Sequence, residues 1–433
     1  MNNSEIVVSL DIGTSSVKVI VGEMVNGALN IIGVGNVKSK GLKKGLIVDI
    51  DETVHSIKKA VEKAERMVGF AIEKVVVGIP SNHIQIQDCH GVVAVAGENR
   101  QIREITDEDI ARVIDAAQFI SIPPDREIID IIPKQFVVDG NDEISDPRGM
   151  EGVRLEMDGV IITTSRTFLH NILRCVERAG LEISTICLQA LSAGTISLSK
   201  DERDLGVALI DIGGGSTTVS YFKDGFLKGT SALLVGGDHI TKDLSIVLRT
   251  PFEEAEKAKI THGHAFYEDA SQDVTFTVPI IGSDQVKHCN QLEITEIIEA
   301  RLEEMLYLIQ DELRSIGVRE LPGGYVFTGG VSELQGYVDL AQVILRNNVR
   351  VAKPDYIGVR EPQYTTAVGL IQFAYETAKL KGLQIGSTTS NADVYESKPN
   401  KKVTQAQAQQ QKRQNPDEKL TKKVKKIFGY FFE

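Results

Sequence analysis

The sequence carries one short motif twice, as DIGTSSVK at residues 11–18 and as DIGGGSTT at residues 211–218. Each copy follows an apolar segment and precedes another strand-like segment, which predicts a strand, a Gly-rich turn and a second strand. The two copies lie about 200 residues apart, and each begins a new cycle of strand and helix patterns. We therefore expect two related half-molecules of mixed α/β structure that face one cleft.

The first half contains clear local signals around its motif. Asn26-Gly27 is typical of a tight hairpin turn, and residues 49–69 show helical spacing with acidic residues in the first turn and a glycine at the end. Residues 84 to about 162 differ, because strand-like segments surround one helix that Thr106 caps. That segment is long enough to form a small inserted subdomain.

The second half shows more helix. Residues 236–263 predict two helices around Pro251, residues 294–317 predict a long amphipathic helix, and a closing helix is expected within residues 362–380. From residue 381 to 414 the sequence is polar and repetitive, with too few apolar residues to form a packed core. We predict a disordered linker there.

Charge is distributed unevenly along the 433 residues, whose net charge is -12. From Lys398 onward there are ten basic and three acidic residues, so the body carries about -19 and the tail about +7. The acidic body argues against nucleic acid as the main partner, and the basic tail indicates an anionic surface. Four scattered cysteines are typical of reduced thiols in a cytosolic protein. No signal peptide or membrane-spanning segment is expected.

The two Gly-rich turns have the chemistry of a phosphate site. Backbone N–H groups and hydroxyls in opposed turns can hold a phosphate chain from both sides. Asp11 and Asp211 follow buried strands, where they could hold Mg²⁺ through water, and Lys18 could offset phosphate charge. The alternative is a pair of ordinary hairpin turns. The expected phosphate-binding residues are Gly13, Thr14, Ser15, Ser16, Lys18, Gly213, Gly214, Gly215, Ser216 and Thr217.

Three further stretches could complete a nucleoside site. Gly329, Gly330 and Val331 follow a buried strand, and Gly236-Gly237 precede a helix, although each could be a plain strand-to-helix turn. Glu256 and Lys259 lie three residues apart on one helix and could reach a ribose or a base. Such pairs are usually only solvated.

These motifs resemble the two phosphate motifs and the adenosine motif of the actin/Hsp70/sugar-kinase ATPase superfamily. More specific stretches are GLKKGLIVDID, ISDPRGMEGVRLE, VGGDHITKDLS and EEAEKAKITHG. With these the chain closely resembles the FtsA family of bacterial cell-division proteins, from about residue 5 to residue 380 and again at the tail.

The resemblance implies an α/β, actin-like fold of four subdomains, in which an inserted subdomain (1C) stands in place of actin subdomain 1B. The implied boundaries are 1–83, 163–195 and 357–380 for subdomain 1A, 84–162 for 1C, 196–226 and 306–356 for 2A, 227–305 for 2B, 381–414 for the linker and 415–433 for a terminal amphipathic helix.

The resemblance also implies ATP and Mg²⁺ in the cleft, with Asp11 and Asp211 as metal-binding and catalytic residues. Gln189 would orient the attacking water, and because an amide is a poor base we expect slow hydrolysis at most. Lys242, in VGGDHITKDLS, is a further candidate for nucleotide binding.

Three kinds of partner follow from the resemblance: a second copy of the chain in a head-to-tail filament, later division proteins through the inserted subdomain, and the C-terminal peptide of FtsZ. Arg301 is the best single candidate for that peptide, because arginine suits acidic residues. An ordinary exposed helix arginine is the alternative.

The last 19 residues have the pattern of a helix that lies in a membrane surface. Asn415 and Pro416 suit a helix start, and apolar residues then fall on one side. Packing on the protein itself or on a partner is the alternative, but the lysines favour anionic lipid. The apolar side has Leu420, Val424, Ile427, Phe428, Phe431 and Phe432; the other side has Lys419, Lys422, Lys423, Lys425 and Lys426.

We therefore expect an ATP-binding division scaffold that lies on the cytoplasmic side of the bacterial cell membrane at the division site. It would tether FtsZ there and help recruit later proteins. The alternative is a small-molecule phosphotransferase of the same fold, such as a sugar kinase, or a pilus-assembly relative. A metabolic kinase has no need of a membrane helix, so the tail distinguishes the first two.

Overall fold

The computed structural model of the chain describes residues 4–95, 102–119, 122–380 and 387–388. Within these ranges the helices are α1 (Ile50–Val68), α2 (Asp107–Ala116), α3 (Arg166–Arg178), α4 (Gln189–Ser197), α5 (Lys200–Leu205), α6 (Gly237–Leu248), α7 (Phe252–His262), α8 (Gln291–Ser315), α9 (Tyr337–Leu345) and α10 (Thr365–Leu380). Short 3₁₀ turns occur at Tyr267–Asp269, Gly330–Glu333 and Pro362–Tyr364.

The strands of the described residues are β1 (Ser4–Ile12), β2 (Ser16–Val25), β3 (Ala28–Lys38), β4 (Leu42–Lys43), β5 (Leu46–Ile47), β6 (Lys74–Ile79), β7 (Gln85–Ala94), β8 (Arg103–Glu104), β9 (Arg126–Val138), β10 (Asn141–Ile144), β11 (Glu151–Gly152), β12 (Arg154–Ser165), β13 (Glu182–Leu188), β14 (Val207–Ile212), β15 (Thr217–Lys223), β16 (Phe226–Leu233), β17 (Thr275–Pro279), β18 (Val286–Asn290), β19 (Tyr325–Thr328), β20 (Val349–Val351) and β21 (Ser387–Thr388).

The two half-molecules have sheets of the same topology. The first has strand order β13-β6-β1-β2-β3 and the second has β16-β15-β14-β19-β20. In each, three antiparallel strands come first and two parallel strands follow on the other side of the first strand. The central strands β1 and β14 are apolar and buried over most of their length, as strands covered on both faces must be. The predicted duplication is confirmed.

The duplication extends to the register of the motif strands. Asp11 lies opposite Lys18 in the first hairpin, and Asp211 lies opposite Thr218 in the second. Each aspartate is the second-last residue of its strand, two positions before the glycine that begins the turn. Equivalent registers deliver both carboxyl groups to the same edge of their sheets.

Helix α1 fixes the outer strand of the first sheet. Asp49 caps its start, accepting from the Glu52 backbone N–H, and Gly69 ends it in a left-handed conformation. At Gly35 on β3 a side chain would overlap the carbonyl of Ala60, so glycine allows the helix to pack directly on the strand. The predicted helix and its terminal glycine are confirmed.

The inserted subdomain is a separate four-stranded antiparallel sheet of order β10-β9-β12-β7, covered by α2. It has its own apolar core. The side chain of Asp109 accepts from the Thr106 backbone N–H at the start of α2, as the capping pattern predicts. The last strand, β12, runs to Ser165 and leads into α3, so the sheet ends three residues beyond the predicted boundary at 162.

The second half has its own insertion, formed by α6, α7, the β17–β18 hairpin and part of α8. The segment predicted for it begins at residue 227, but β16 is the edge strand of the second sheet and belongs to the body of that half. The sequence of residues 226–233 fits a strand in either place, and the pairing with β15 decides between them. The two helices around Pro251 and the long helix α8 are confirmed.

Helices α4 and α10 pack against each other where the two halves join. At Gly369 a side chain would overlap the carbonyl oxygen of Ser192, so the two helices touch through their backbones. On α4, a Cβ at Gly194 would lie 2.7 Å from the ring of Phe222 in the second sheet. The two sheets therefore meet closely at α4 and α10, and the ends of β1 and β14 line one cleft between them.

After α10 the chain returns to the first sheet. Ser387 and Thr388 pair antiparallel with Ile6 and Glu5 of β1. These two residues of the predicted linker therefore form a strand pair, whereas the remainder of 381–414 and the predicted tail helix lie outside the described residues. The four cysteines are free and buried. Among the described helices, none is long and apolar enough to cross a membrane.

Candidate functional site

The two motif loops have the same turn. The backbone N–H of Gly13 donates to the carbonyl of Ser16 at 3.1 Å, and that of Gly213 donates to the carbonyl of Ser216 at 3.0 Å. Each bond closes a four-residue turn directly after a buried strand. The remaining N–H groups of the turns are the donors that a phosphate chain requires.

The loops touch each other at the base of the cleft. A Cβ on Gly214 would overlap Ser15 Oγ, and a Cβ on Gly215 would lie 2.6 Å from the methyl group of Thr14. The first loop therefore places its side chains where the second loop has none. The Thr14 hydroxyl also accepts from the Gly45 backbone N–H at 3.0 Å, which ties the first loop to the β4–β5 hairpin.

The cleft between the halves has a volume of about 640 Å³. Its wall includes most of the predicted residues, from both halves: Asp11, Gly13, Thr14, Ser15, Ser16, Lys18, Gln189, Asp211, Gly213, Gly214, Gly215, Ser216, Gly237, Glu256, Lys259, Gly329, Gly330 and Val331.

Three predicted nucleotide-binding residues do not line the cleft. Thr217 is fully buried and donates its hydroxyl to the carbonyl of Val235 at 2.8 Å. Gly236 packs behind the second loop, where a Cβ would lie 2.5 Å from the Gly213 carbonyl oxygen. Lys242 is exposed on α6.

Asp11 is held by two partners from the first half. Lys18 Nζ lies 3.4 Å from its Oδ2, and Gln189 Nε2 donates to its Oδ1 at 2.7 Å. Both members of the Asp11–Lys18 pair are about nine-tenths buried. The Gln189 amide uses its N–H₂ group on Asp11, so its oxygen remains as an acceptor.

Asp211 has a different environment. Its Oδ2 accepts from the Thr366 hydroxyl at 2.9 Å, and the structure pairs no lysine with it. Burial, with the nearby charge of Asp11, raises the pKa of the Asp211 carboxyl above its ordinary value, while the Thr366 hydrogen bond opposes that shift. Two carboxylates in one cleft with hard oxygen donors are suited to a divalent cation.

No group of three or more His, Cys, Asp or Glu side chains in the described ranges could hold a metal by itself. A cation at Asp11 and Asp211 would therefore take most of its ligands from phosphate and water, as Mg²⁺ does in nucleotide sites.

Helices α6 and α7 form the wall beside the second loop. The N–H groups of Gly237 and Asp238 donate to the Gly213 and Gly214 carbonyls at 2.9 and 2.8 Å. On α7, Lys259 is 6% exposed and donates to the Gly237 carbonyl, the Thr241 hydroxyl and Glu256. The Glu256–Lys259 pair therefore forms part of the cleft wall, with Lys259 buried and the Glu256 side chain 35% exposed.

Sequence reasoning missed several residues of the cleft. Asp238 lines it, and burial raises the pKa of its carboxyl, with the charge of Lys259 opposing. Glu333 also lines it, and burial raises its pKa too. Asp238 directly follows the glycine pair Gly236-Gly237, and this position is the signal that could have selected it. Thr366 gave no sequence signal, because it lies in the apolar pattern of a closing helix.

Arg301 lies on α8 and is 27% exposed at its side chain. Its Nε donates to Asp243 Oδ2 on α6 at 2.6 Å, and it also pairs with Glu304. The ion pair with Asp243 raises its pKa further. The arginine joins two helices of the second half's insertion and presents only part of its guanidinium to solvent.

Two family models match the chain. Residues 208–369 match the model described as cell division protein FtsA, and residues 81–163 match that of the SHS2 domain inserted in FtsA. The second match covers the inserted subdomain predicted at 84–162.

Similar proteins carry the same description. Over 386 residues the chain is 60% identical to the cell division protein FtsA of Bacillus subtilis (strain 168), which covers 89% of this chain and 87% of that protein. Over 441 residues it is 42% identical to that of Enterococcus faecalis, with 98% of each covered.

Solved structures are similar at the level of the fold. A chain of the PilM-PilN type IV pilus biogenesis complex has a TM-score of 0.57 at 15% identity, covering 85% of this chain and 98% of that chain. MreB 5 of Spiroplasma citri bound to AMPPNP has a TM-score of 0.54 at 15% identity, covering 88% and 99%. The expected actin-like architecture with an inserted subdomain is confirmed.

Proposed function

The chain belongs to the FtsA family of cell-division proteins, and we propose that it is an actin-like, ATP-binding scaffold of the division site. In this proposal it polymerises on the inner face of the cytoplasmic membrane and tethers FtsZ filaments there. It also helps recruit later septum-forming proteins through the inserted subdomain.

The observation that carries ATP binding is the pair of motif loops, each closed by the same Gly-to-Ser hydrogen bond, on opposite walls of one cleft. Their free N–H groups, with Ser15, Ser16 and Lys18, suit a chain of phosphates. Gly330 leaves room beside them for a nucleoside, since a Cβ there would have its nearest neighbour 4.0 Å away. The MreB 5 structures with a similar fold contain ADP or AMPPNP.

Mg²⁺ would be held by Asp11 and Asp211, through water, and would neutralise phosphate charge. Gln189 is placed by its hydrogen bond to Asp11, so its amide oxygen can orient a water molecule. An amide cannot take a proton as a carboxylate does. We therefore expect slow ATP hydrolysis at most, which suits a switch.

For the FtsZ peptide we propose the surface of α6 and α8 around Arg301. An acidic peptide residue would compete with Asp243 and Glu304 for the guanidinium, and bidentate pairing favours arginine for this task. Because Asp243 and Glu304 already pair with the Arg301 guanidinium, we expect one chain to bind one peptide with modest affinity. A filament that presents several such sites would bind several peptides more tightly.

Membrane attachment rests on the sequence pattern of the tail at 415–433. One such helix must be ordered on binding, at about 1–2 kcal/mol per residue of backbone freedom, so a single tail binds reversibly. Several tails on one filament bind together. Polymerisation of the actin-like body would thereby strengthen attachment.

Flotation with anionic liposomes tests the proposal. The full chain, with Mg-ATP, is expected to float, and a chain that stops at Arg413 is expected to remain in the dense fraction. A full chain with Lys422, Lys423, Lys425 and Lys426 replaced by glutamine is the matched control for charge and should float poorly. Addition of the FtsZ C-terminal peptide on a carrier protein should bring the carrier to the liposomes, and Arg301→Ala should reduce that recruitment.

If neither full-length nor truncated chain floats, the membrane part of the proposal is wrong. A large stimulation of ATP turnover by a sugar would instead favour a small-molecule phosphotransferase.

A further inference from the structure

Each motif aspartate is held by the first turn of a helix at the junction of the two halves. In the first half Gln189, the first residue of α4, donates to Asp11. Asp211 of the second half accepts from Thr366, the second residue of α10, a helix that packs on β1 and β6 of the first half. Both motif aspartates are thus held from the first turn of a junction helix, Asp11 by an amide and Asp211 by a hydroxyl.

The Thr366 side chain has little freedom to move. It is 6% exposed, and its neighbours tie the start of α10 to both halves. Thr328 donates its hydroxyl to that of Thr365 at 2.7 Å, and Ser9 donates to the Ala367 carbonyl at 2.6 Å. The Thr366 hydroxyl therefore has a fixed position relative to the cleft.

The second oxygen of Asp211 is fixed as well. Gly329 has a positive φ of 85°, and a Cβ there would overlap Asp211 Oδ1. The carboxylate thus lies between a hydroxyl on one side and the backbone of a glycine on the other. By contrast, Asp11 is oriented by a lysine and an amide, so it does not depend on a single hydroxyl.

We propose that Thr366 is the positioning residue of Asp211, whose hydroxyl holds the carboxylate in the orientation that receives the divalent cation of the nucleotide. The inference rests on the proposed function, because it requires a nucleotide and a cation in the cleft. Thr366 itself touches neither the cation nor the phosphate in this proposal. Its effect is on how strongly the cation tightens nucleotide binding.

The test compares the dissociation constant of a fluorescent ATP analogue in saturating Mg²⁺ and in EDTA, and also measures the Mg²⁺ concentration that gives half of the tightening. Hydrogen bonds to charged groups are strong enough that losing one changes an equilibrium by about tenfold. Thr366→Val should therefore weaken binding about tenfold in Mg²⁺ and by less than about twofold in EDTA. It should also raise the half-effect Mg²⁺ concentration, and Thr366→Ser should keep wild-type behaviour.

Thr365→Val is the matched control. It removes a buried hydroxyl from the same turn, but one that bonds to Thr328 and not to Asp211. It should lower thermal stability about as much as Thr366→Val and leave the ratio of affinities in Mg²⁺ and EDTA unchanged. If Thr366→Val does not fold, Thr366→Ala takes its place.

The inference is overturned if Thr366→Val keeps the wild-type ratio of nucleotide affinities in Mg²⁺ and in EDTA. It is also overturned if Thr365→Val lowers that ratio as much as Thr366→Val does, because a general loosening of α10 would then explain the effect. If the wild-type chain binds the analogue equally well in Mg²⁺ and EDTA, the inference fails and ATP binding stands. If the wild-type chain binds no nucleotide in either condition, the inference and the proposed function fail together.

Discussion

The two motif loops have the same backbone turn, but the first carries side chains at the two positions where the second has only glycine. The first carries Thr14 and Ser15, and the second carries Gly214 and Gly215 at the matching places. The side chains of the first loop enter the space that the glycines of the second leave open. The glycine run in DIGGGSTT therefore has two uses: it exposes backbone N–H groups to a phosphate, and it leaves space for Thr14 and Ser15 of the neighbouring loop.

The two aspartates differ in how their charge is compensated. Asp11 lies opposite Lys18 in its hairpin and pairs with it, whereas Asp211 lies opposite Thr218 in the same register. Burial raises the pKa of Asp211, and the structure gives it a hydroxyl as partner rather than a cation. One duplicated position thus has an internal counter-ion and the other does not.

The largest expected effect comes from the same substitution at both positions. Asp11→Asn leaves Lys18 buried without its counter-ion, and loss of one partner from a buried pair costs about 3 kcal/mol of unfolding free energy. Asp211→Asn removes a carboxylate whose ionisation is unfavourable in the fold, so stability should stay equal or rise at pH 7. Urea unfolding in EDTA measures both. The double variant Asp11→Asn with Lys18→Met removes both charges of the pair and should return close to wild type.

The sign of the pH dependence follows from the raised pKa of Asp211. In the wild type, ionisation of the Asp211 carboxyl lowers the free energy of unfolding once the pH exceeds the ordinary pKa of 3.8. The full loss is present above the raised pKa of the folded state. The advantage of Asp211→Asn should therefore be largest at neutral pH and disappear as pH falls below about 4. A constant advantage at all pH values would mean that the carboxylate is not strained by burial.

The next largest effect tests the fit between the loops. Gly214→Ala places a methyl group on Ser15 Oγ, and overpacking of this kind costs about 2 kcal/mol. Adding Ser15→Gly should restore most of the lost unfolding free energy. Gly330→Ala is the control, because its nearest neighbour would be 4.0 Å from the new Cβ. If Gly214→Ala is as stable as Gly330→Ala, the two loops do not meet in solution.

The sequence alone predicts the features that depend on neighbouring residues, such as helices, strands and turns. The duplicated strand–turn–strand units, the helix ending at Gly69 and the two helices around Pro251 follow from periodicity and from glycine and proline positions. Most candidate residues of the cleft could be selected for the same reason, since they stand within Gly-rich turns after buried strands.

Contacts between distant segments could not be predicted in this way. Thr366 reaches Asp211 only because α10 packs across the junction, and nothing in its own segment marks it. The sequence predicts residues 227–233 as part of an insertion, whereas they belong to the edge strand β16 of the second sheet, because the pairing of a strand is decided by its neighbour and not by its own sequence. Thr217 was expected at a phosphate and instead bonds inside the sheet, since its place in the strand turns it inward.

The smallest expected effect concerns a contact between the halves away from the loops. Thr230 on β16 donates its hydroxyl to Ser81 at 3.0 Å, next to the start of the inserted subdomain, and lies 2.9 Å from the Ser220 hydroxyl. Thr230→Val leaves both serine hydroxyls buried with one partner fewer, which should cost about 1 kcal/mol of unfolding free energy. Thr195→Val is the control, because that hydroxyl bonds only within its own helix and its loss should be nearly neutral. Equal stability of the two variants would mean that the halves are joined by the loops and by α4 and α10, without a contribution from this hydroxyl pair.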